Sequence, residues 1–250
     1  MSCEIPSRRI GAVVVNHDTS PWTELLIRSL FAQNPGFGQL TVYDNASTDD
    51  REGMLAAAAE YSVDVRQSGF DTATTANSHG QVLSKFVLDT ANVSLDYLLL
   101  LDADVCFTRG GTISTLLSTL EATPMAFGVG PRMSWDGERE MPAELAANPG
   151  IYRDRLHPAC ALLRNTDLLR SITAEIGLSC ATMHLVDEQR YLDTFRLATM
   201  VMRTHGLHHV IADALVMHAF AVSYPDESSG LLQEKIARRD SWLDHLRQPS

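Results

Sequence analysis

Apolar and polar residues come in alternating blocks through the first hundred positions of the chain. Residues 10–15 read IGAVVV, a short continuous apolar run that predicts a buried strand. After Pro21 the positions Trp22, Leu25, Leu26, Ser29 and Leu30 recur at helical spacing. LTVY (40–43) predicts a second strand, the alanine-rich stretch around 54–59 a helix, and VDVRQ (63–67) a third strand. A helix follows over 81–88, and YLLLL (97–101) predicts a fourth strand. Strands alternating with helices predict an α/β chain, a mostly parallel sheet covered by helices on both faces. The polar residues then fall where such sheets gather ligands, outside the carboxyl ends of the strands. Asn16-His17 follows the first strand, DNASTDD (44–50) the second, and DAD (102–104) the fourth.

The pattern changes near Trp135, where WDGEREMPAELAANPG reads as a long polar loop punctuated by proline and glycine. Beyond it lie a short apolar segment at 159–163, helical patterns at 168–176 and 188–202, and a final apolar run, ALVMH (214–218). Residues 231–246 show amphipathic helical spacing. There is no internal repeat and no low-complexity tract, so a single compact domain is expected.

Composition narrows the function classes. A chain of 250 residues, 45% hydrophobic and 20% charged, can bury a sizeable core as an ordinary globular protein. The net charge of −11 argues against non-specific nucleic-acid binding, and an anionic ligand would need a local positive centre such as a bound cation. Cys3, Cys106, Cys160 and Cys180 are too far apart for zinc-ligand spacing, and the N-terminus does not read as a secretory signal. A reducing, cytoplasmic setting with free thiols is expected. No apolar run approaches the ~20 residues of a membrane span.

The candidate chemistry centres on DAD. Two carboxylates at the lip of an apolar strand repel each other and cost desolvation, so they call for a counter-charge, a solvating turn or a metal ion. A turn or helix-capping role before Thr112 stands beside the metal reading. His218 closes the ALVMH run at what should be an exposed strand edge; imidazole is a competent Mn²⁺ ligand, and equally a satisfied core residue. Asp44 could accept from a ring N–H or a ribose hydroxyl, while residues 47–49 cap the next helix. HGLHH (205–209) lacks the spacing of a zinc hydrolase, and VNHDTSPW has no glycine for a phosphate loop.

The segments VVVNHD, YDNASTDD, GFDTATTANSHG, LLLLDADV, ACALLR and VMHAFAVSY, in this order over residues 9–224, resemble family-two glycosyltransferases of the GT-A fold. The resemblance implies a Rossmann-like sheet with a nucleotide-sugar-binding half (1–134), an acceptor-binding and catalytic half (135–224) and a C-terminal helix (225–250). It implies a hexosyltransferase-type, metal-dependent transfer, with inversion, from a nucleotide-diphosphate sugar to a hydroxyl of a small-molecule or glycan acceptor, using Mn²⁺ or Mg²⁺. By the same resemblance Asp104 and His218 hold the metal, and Asp102 meets the ribose or the metal through water. Val15, Asn16, Asp44, Asn77, Asp102 and Ala103 face the donor, with Gly80 near its diphosphate and His79 unassigned. Selectivity falls to residues 135–151 and 157–164.

The base is expected from a carboxylate on a helix before the late histidine. Relatives carry a Glu-Asp pair there, and this chain has none. Asp187, Glu188 and Asp193 are the candidates, in one predicted helical stretch. Asp193, 25 residues before His218, leads by counting back, whereas counting forward from ACALLR favours Asp187. A retaining GT-A enzyme and a catalytically silent nucleotide-sugar-binding scaffold are the alternatives.

Overall fold

The structure is a computed structural model that describes residues 9–70, 78–140, 152, 154–184, 189–220, 222 and 229–248. In chain order its elements begin β1 (Ile10–Asn16), α1 (Ser20–Gln33), β2 (Gln39–Asp44), α2 (Glu52–Glu60), β3 (Asp64–Gln67), α3 (Ser78–Leu88) and β4 (Tyr97–Asp102). They continue with β5 (Val105–Cys106), α4 (Thr112–Glu121), β6 (Ala126–Ser134), β7 (Cys160–Arg164), α5 (Asp167–Ile176) and β8 (Ala181–His184). β9 (Gln189–Leu192), α6 (Arg196–Thr204), β10 (His208–His218) and α7 (Ser229–Leu246) complete the chain. An eight-stranded sheet runs β3-β2-β1-β4-β7-β6-β10-β5, and β8 and β9 form a separate hairpin. The pairs from β3 to β4 are parallel, as is β6 with β10; β7 runs antiparallel to both neighbours and β5 antiparallel to β10.

The apolar runs explain the sheet. Strands buried on both faces read as nearly continuous hydrophobic sequence, and every residue of β1 and residues 97–101 of β4 are buried. Alternate side chains serve opposite layers. Ile10, Ala12, Val14, Leu99 and Leu101 pack toward α1, α2 and α4, whereas Val13, Val15, Leu98 and Leu100 pack toward α3, α5 and α6. α7 closes a third cluster in which Leu243 meets Trp22, Leu25 and Met217. The expected α/β fold, a mostly parallel sheet between helical layers, is therefore the fold observed.

Two stretches differ from the sequence pattern. Residues 189–192 are not helical: they form β9, paired antiparallel with β8 from Ala181↔Leu192 to His184↔Gln189. The chain then turns at Asp193, whose carbonyl accepts from Arg196 N (3.0 Å), and α6 begins only after Phe195, buried at φ +67. Asp193 thus lies in the turn between hairpin and helix, not within one helical stretch. The second surprise is β6, whose sequence AFGVGPRMS carries two glycines and a proline. Pro131 cannot donate to a ladder and strand prolines sit at irregularities; here two steps on β6, Gly130 to Arg132, face four on β10, Ile211 to Leu215. Among the described residues no helix is long and apolar enough to cross a membrane.

Candidate active site

Parallel register brings the polar strand ends together. Val15 lies beside Asp102 and Asn16 beside Asp44. Asn16 is fully buried and acts as a junction. Its amide donates to Ser20 Oγ (2.9 Å), Ser47 Oγ (2.9 Å) and Asp44 Oδ1 (3.4 Å), while its carbonyl accepts from Thr19 (3.1 Å) and Thr23 (2.9 Å). The 44–50 turn does cap a helix, but Asp49 caps α1, accepting from Ser20 N and Ser20 Oγ (both 2.8 Å). α2 is served by Asp50, which accepts from Glu52 N (2.9 Å).

Asp44 is buried, with Arg51 (2.5 Å) and Gln67 (3.1 Å) on one oxygen and Ser47 N (3.3 Å) on the other. Burial would raise its carboxyl, but the hydrogen bonds from Ser47, Gln67 and Arg51 outweigh it and hold the group below the usual range. Its neighbour Asn45 accepts from Ser68 Oγ (2.6 Å) and donates to Ser78 Oγ (2.7 Å), tying this turn to the start of α3. There Gly80 is required by close approach: a Cβ would stand 2.3 Å from Ser179 Cα. His79, the residue before Gly80, lies against Asp102 at the end of β4.

Long-range pairing supplies the rest. β5 pairs with the end of β10, Val105 opposite His218, and Ala219 N donates to Asp104 O (3.0 Å). His218 Nε2 consequently lies 3.1 Å from Asp104 Oδ1 and 3.6 Å from Asp102 Oδ2, and His79 Nε2 lies 3.4 Å from Asp102 Oδ1. Asp102, Asp104 and His218 each offer a ligand atom within 4.8 Å of the other two. Ala103, between the carboxylates, is buried. His218 is only 4% exposed, with its ring centroid 3.8 Å from that of Phe220, so it is not at an exposed edge. β10 is covered by β6 on one side and β5 on the other, which makes His218 a core residue with a metal-ligand geometry.

The electrostatics fit a cation. Burial lifts the Asp102 carboxyl above its ordinary value, against the pull of His79 and His218. Burial acts on Asp104 in the same sense, but the adjacent His218 outweighs it and holds that carboxyl low. For His218 burial opposes protonation, and Asp104 and Asp102 outweigh it, so the imidazole is raised. Buried Asp102 Oδ1 has no hydrogen-bond partner among the described residues, and neither has His218 Nδ1. Two carboxylates and an imidazole, with a buried oxygen left unsatisfied, are a donor set suited to Mn²⁺ or Mg²⁺.

A wall of residues surrounds this cluster, with no individual role expected from sequence beyond the selectivity assigned to residues 157–164. Arg155, on the segment leading into β7, forms an ion pair with Asp193 Oδ2 (2.6 Å) and donates to Thr194 O (2.7 Å); its charge is felt at Asp102 and His157. His157 stands edge-on to His218, ring centroids 5.5 Å apart. Burial, with Arg155 adding to it, holds that imidazole well below its ordinary value. Phe220, at φ +51, is held by Lys235 of α7, whose Nζ donates to its carbonyl (2.6 Å). A cavity of about 200 Å³, lined by Trp22, Trp135, Met217 and Lys235 among others, opens on the α1–α7 side of β10, where Met217 points. Alternation along the strand puts His218 on the other face. Asn77, Asp187 and Glu188 lie outside the described residues.

No protein-family profile matches the chain, and no curated protein is similar to it in sequence. Solved structures are similar in fold. Glucosyl-3-phosphoglycerate synthase from Mycobacterium tuberculosis, in complex with Mn²⁺, uridine diphosphate and glucosyl-3-phosphoglycerate, superposes with a TM-score of 0.54 at 16% identity, over 96% of this chain and 82% of that one. The same synthase with Mg²⁺ and uridine diphosphate gives 0.53 at 16% identity, over 96% and 81%. A mannosyltransferase from Pyrobaculum calidifontis, in complex with GDP-mannose and Mn²⁺, gives 0.59 at 12% identity, over 98% of this chain and 66% of that one. The fold is that of GT-A glycosyltransferases.

Proposed function

We propose that this protein is a glycosyltransferase of the family-two kind, moving a hexose from a nucleotide-diphosphate donor to an acceptor hydroxyl with inversion. The observation that carries the reading is the convergence of Asp102, Asp104 and His218 at the carboxyl ends of the parallel strands of a GT-A fold. The neighbours of this fold named above hold Mn²⁺ or Mg²⁺ with a uridine or guanosine nucleotide, which supports it.

Asp104 and His218, with Asp102, would hold the divalent cation. When bound, such an ion supplies positive charge against the diphosphate as the glycosidic bond breaks. The remaining work belongs to the chain. The strand ends of the 1–134 half, with Val15, Asn16, Asp44 and Ala103, form the donor platform, Asn77 is assigned to the donor by the same reading, and Asn16 keeps the platform rigid by fixing the 44–50 turn against α1. Asp193 of the 135–224 half accepts the proton of the attacking acceptor hydroxyl as the new bond forms. Its carboxylate is paired with Arg155, whose charge also reaches Asp102. The acceptor is a small molecule or a glycan.

Calorimetry with a panel of nucleoside diphosphates, with Mn²⁺ and then with EDTA, tests the reading. Cation-dependent binding is expected; equal affinity in EDTA overturns it. NMR of the product anomer tests the inversion, and retention would remove Asp193 from its role as base.

A further inference from the structure

His157 is the group in the wall whose tautomer is set by a hydrogen bond at one ring nitrogen and whose other nitrogen meets no acceptor among the described residues. Ala159 N donates to His157 Nδ1 (3.2 Å), so that nitrogen carries a lone pair and the ring proton sits on Nε2. The anchor is rigid, because Ala159 O accepts in turn from Asp102 N (3.0 Å) and Cys160 pairs with Leu101. One backbone step thus ties the imidazole to the strand that carries the carboxylates. At its far end, Nε2–H has no acceptor among the described residues. The ring meets His218 and Phe220 edge-on, at 5.5 and 6.5 Å between centroids.

An N–H donor held beside a metal-type cluster cannot serve the cation, which it would repel. It suits an anionic oxygen lying against that cation, and the charge of Arg155, two residues earlier, is felt at His157. We propose that His157 is a binding and positioning residue for a phosphate oxygen, donating Nε2–H to the diphosphate of the nucleotide. The assignment rests on the glycosyltransferase reading of the site, and it adds a neutral donor to a site otherwise described by its carboxylates and cations.

The test compares the full-length protein with His157→Phe and His157→Gln, using uridine and guanosine diphosphate with Mn²⁺ by calorimetry, Mn²⁺ alone by paramagnetic resonance, and melting temperature. Phenylalanine keeps the ring packing and removes the donor, so nucleotide affinity is expected to fall about 10- to 100-fold, the range for a hydrogen bond to a charged group. Glutamine offers an amide N–H and is expected to recover most of that loss, while affinity for Mn²⁺ alone stays at the wild-type value in both variants. Unchanged nucleotide affinity in His157→Phe overturns the proposal. So does a loss of affinity for Mn²⁺ alone, which would make His157 a ligand of the ion. So does a nucleotide loss in His157→Gln equal to that in His157→Phe, which would make the residue structural. An unchanged nucleotide affinity but a raised KM for acceptor would move the donated bond to the acceptor. Wild-type protein that binds neither diphosphate with Mn²⁺ overturns the functional reading itself, and the assignment of His157 with it.

Discussion

The strands β3-β2-β1-β4 and the strands β7-β6-β10-β5 share one sheet but are held in different ways. In the first set successive strands are joined by the helical crossovers α1, α2 and α3, the ladders are parallel and in register, and the strand ends are locked by side chains a few tens of residues apart. Asn16, Asp44 and Asn45 form a closed polar network there. In the second set an antiparallel strand is wedged in, β10 bulges opposite Pro131, and the closing partner, β5, is two residues long. Its polar groups are less completely paired: Trp135 Nε1 and His218 Nδ1 are buried without partners among the described residues. The first set is a rigid platform, and the second delivers single side chains to it. Binding and chemistry should therefore separate between the two halves.

The largest effect is expected in the second half. Asp193→Asn should keep nucleotide and metal binding while turnover falls by about 10²- to 10⁴-fold, the usual worth of a positioned proton acceptor. Asp187→Asn and Glu188→Gln should be milder, as single-turnover kinetics on the three variants will show. If Asp187→Asn abolishes transfer and Asp193→Asn does not, the base belongs to the earlier carboxylate.

In the first half Asp104→Ala should reduce Mn²⁺-dependent nucleotide binding by about 100-fold or more, since even partners outside the ligand set cost 10- to 100-fold. Asp44→Ala, remote from the cluster, should cost far less in the metal-dependent part. Parallel titrations with and without EDTA compare them. Equal losses would mean that the platform acts as one unit.

The seam between the halves can be loosened at Glu24. This buried carboxylate of α1 holds Arg28 (2.8 Å) on its own helix and Arg247 (2.7 Å) beyond α7. Burial would raise it, and the two guanidinium groups outweigh that and keep it ionised. Glu24→Gln should cost about 3 kcal/mol of stability, the lower end for breaking a buried ion pair, read from chemical denaturation. A loss in nucleotide affinity as well would show that α7 steadies the cluster through Lys235.

The smallest effect is a pH dependence in the second half. Asp136 accepts from Glu138 N and Arg139 N (both 2.9 Å), which lowers its carboxyl to about 2 from an ordinary 3.8. A folded value below the unfolded one adds stability above the unfolded value, and that stability is lost as pH falls from about 4 toward 2. Asp136→Asn should therefore flatten part of the wild-type decline in melting temperature over that window. Identical acid profiles would show that the turn contributes nothing.

The sequence by itself determined the platform. Continuous apolar runs such as IGAVVV and YLLLL can be buried only as strands covered on both faces, and the polar residues that end them must then share one edge. DAD was legible as chemistry because two carboxylates on an apolar strand are costly without a partner. What tertiary structure alone decided is which distant groups meet them. Two residues of β5 against β10 bring His218 onto Asp104, and a two-residue ladder leaves almost no periodic signal. β6 was hidden by its glycines and proline, whose fit depends on a bulge in another strand. Residues 189–192 follow a helical pattern in sequence, but cross-strand pairing with β8 outweighs so weak a local preference. Arg155 gave no pattern, and His157 only its place in the expected selectivity segment 157–164, because their positions beside the cluster depend on β7 docking antiparallel on β4, a contact that no local spacing encodes.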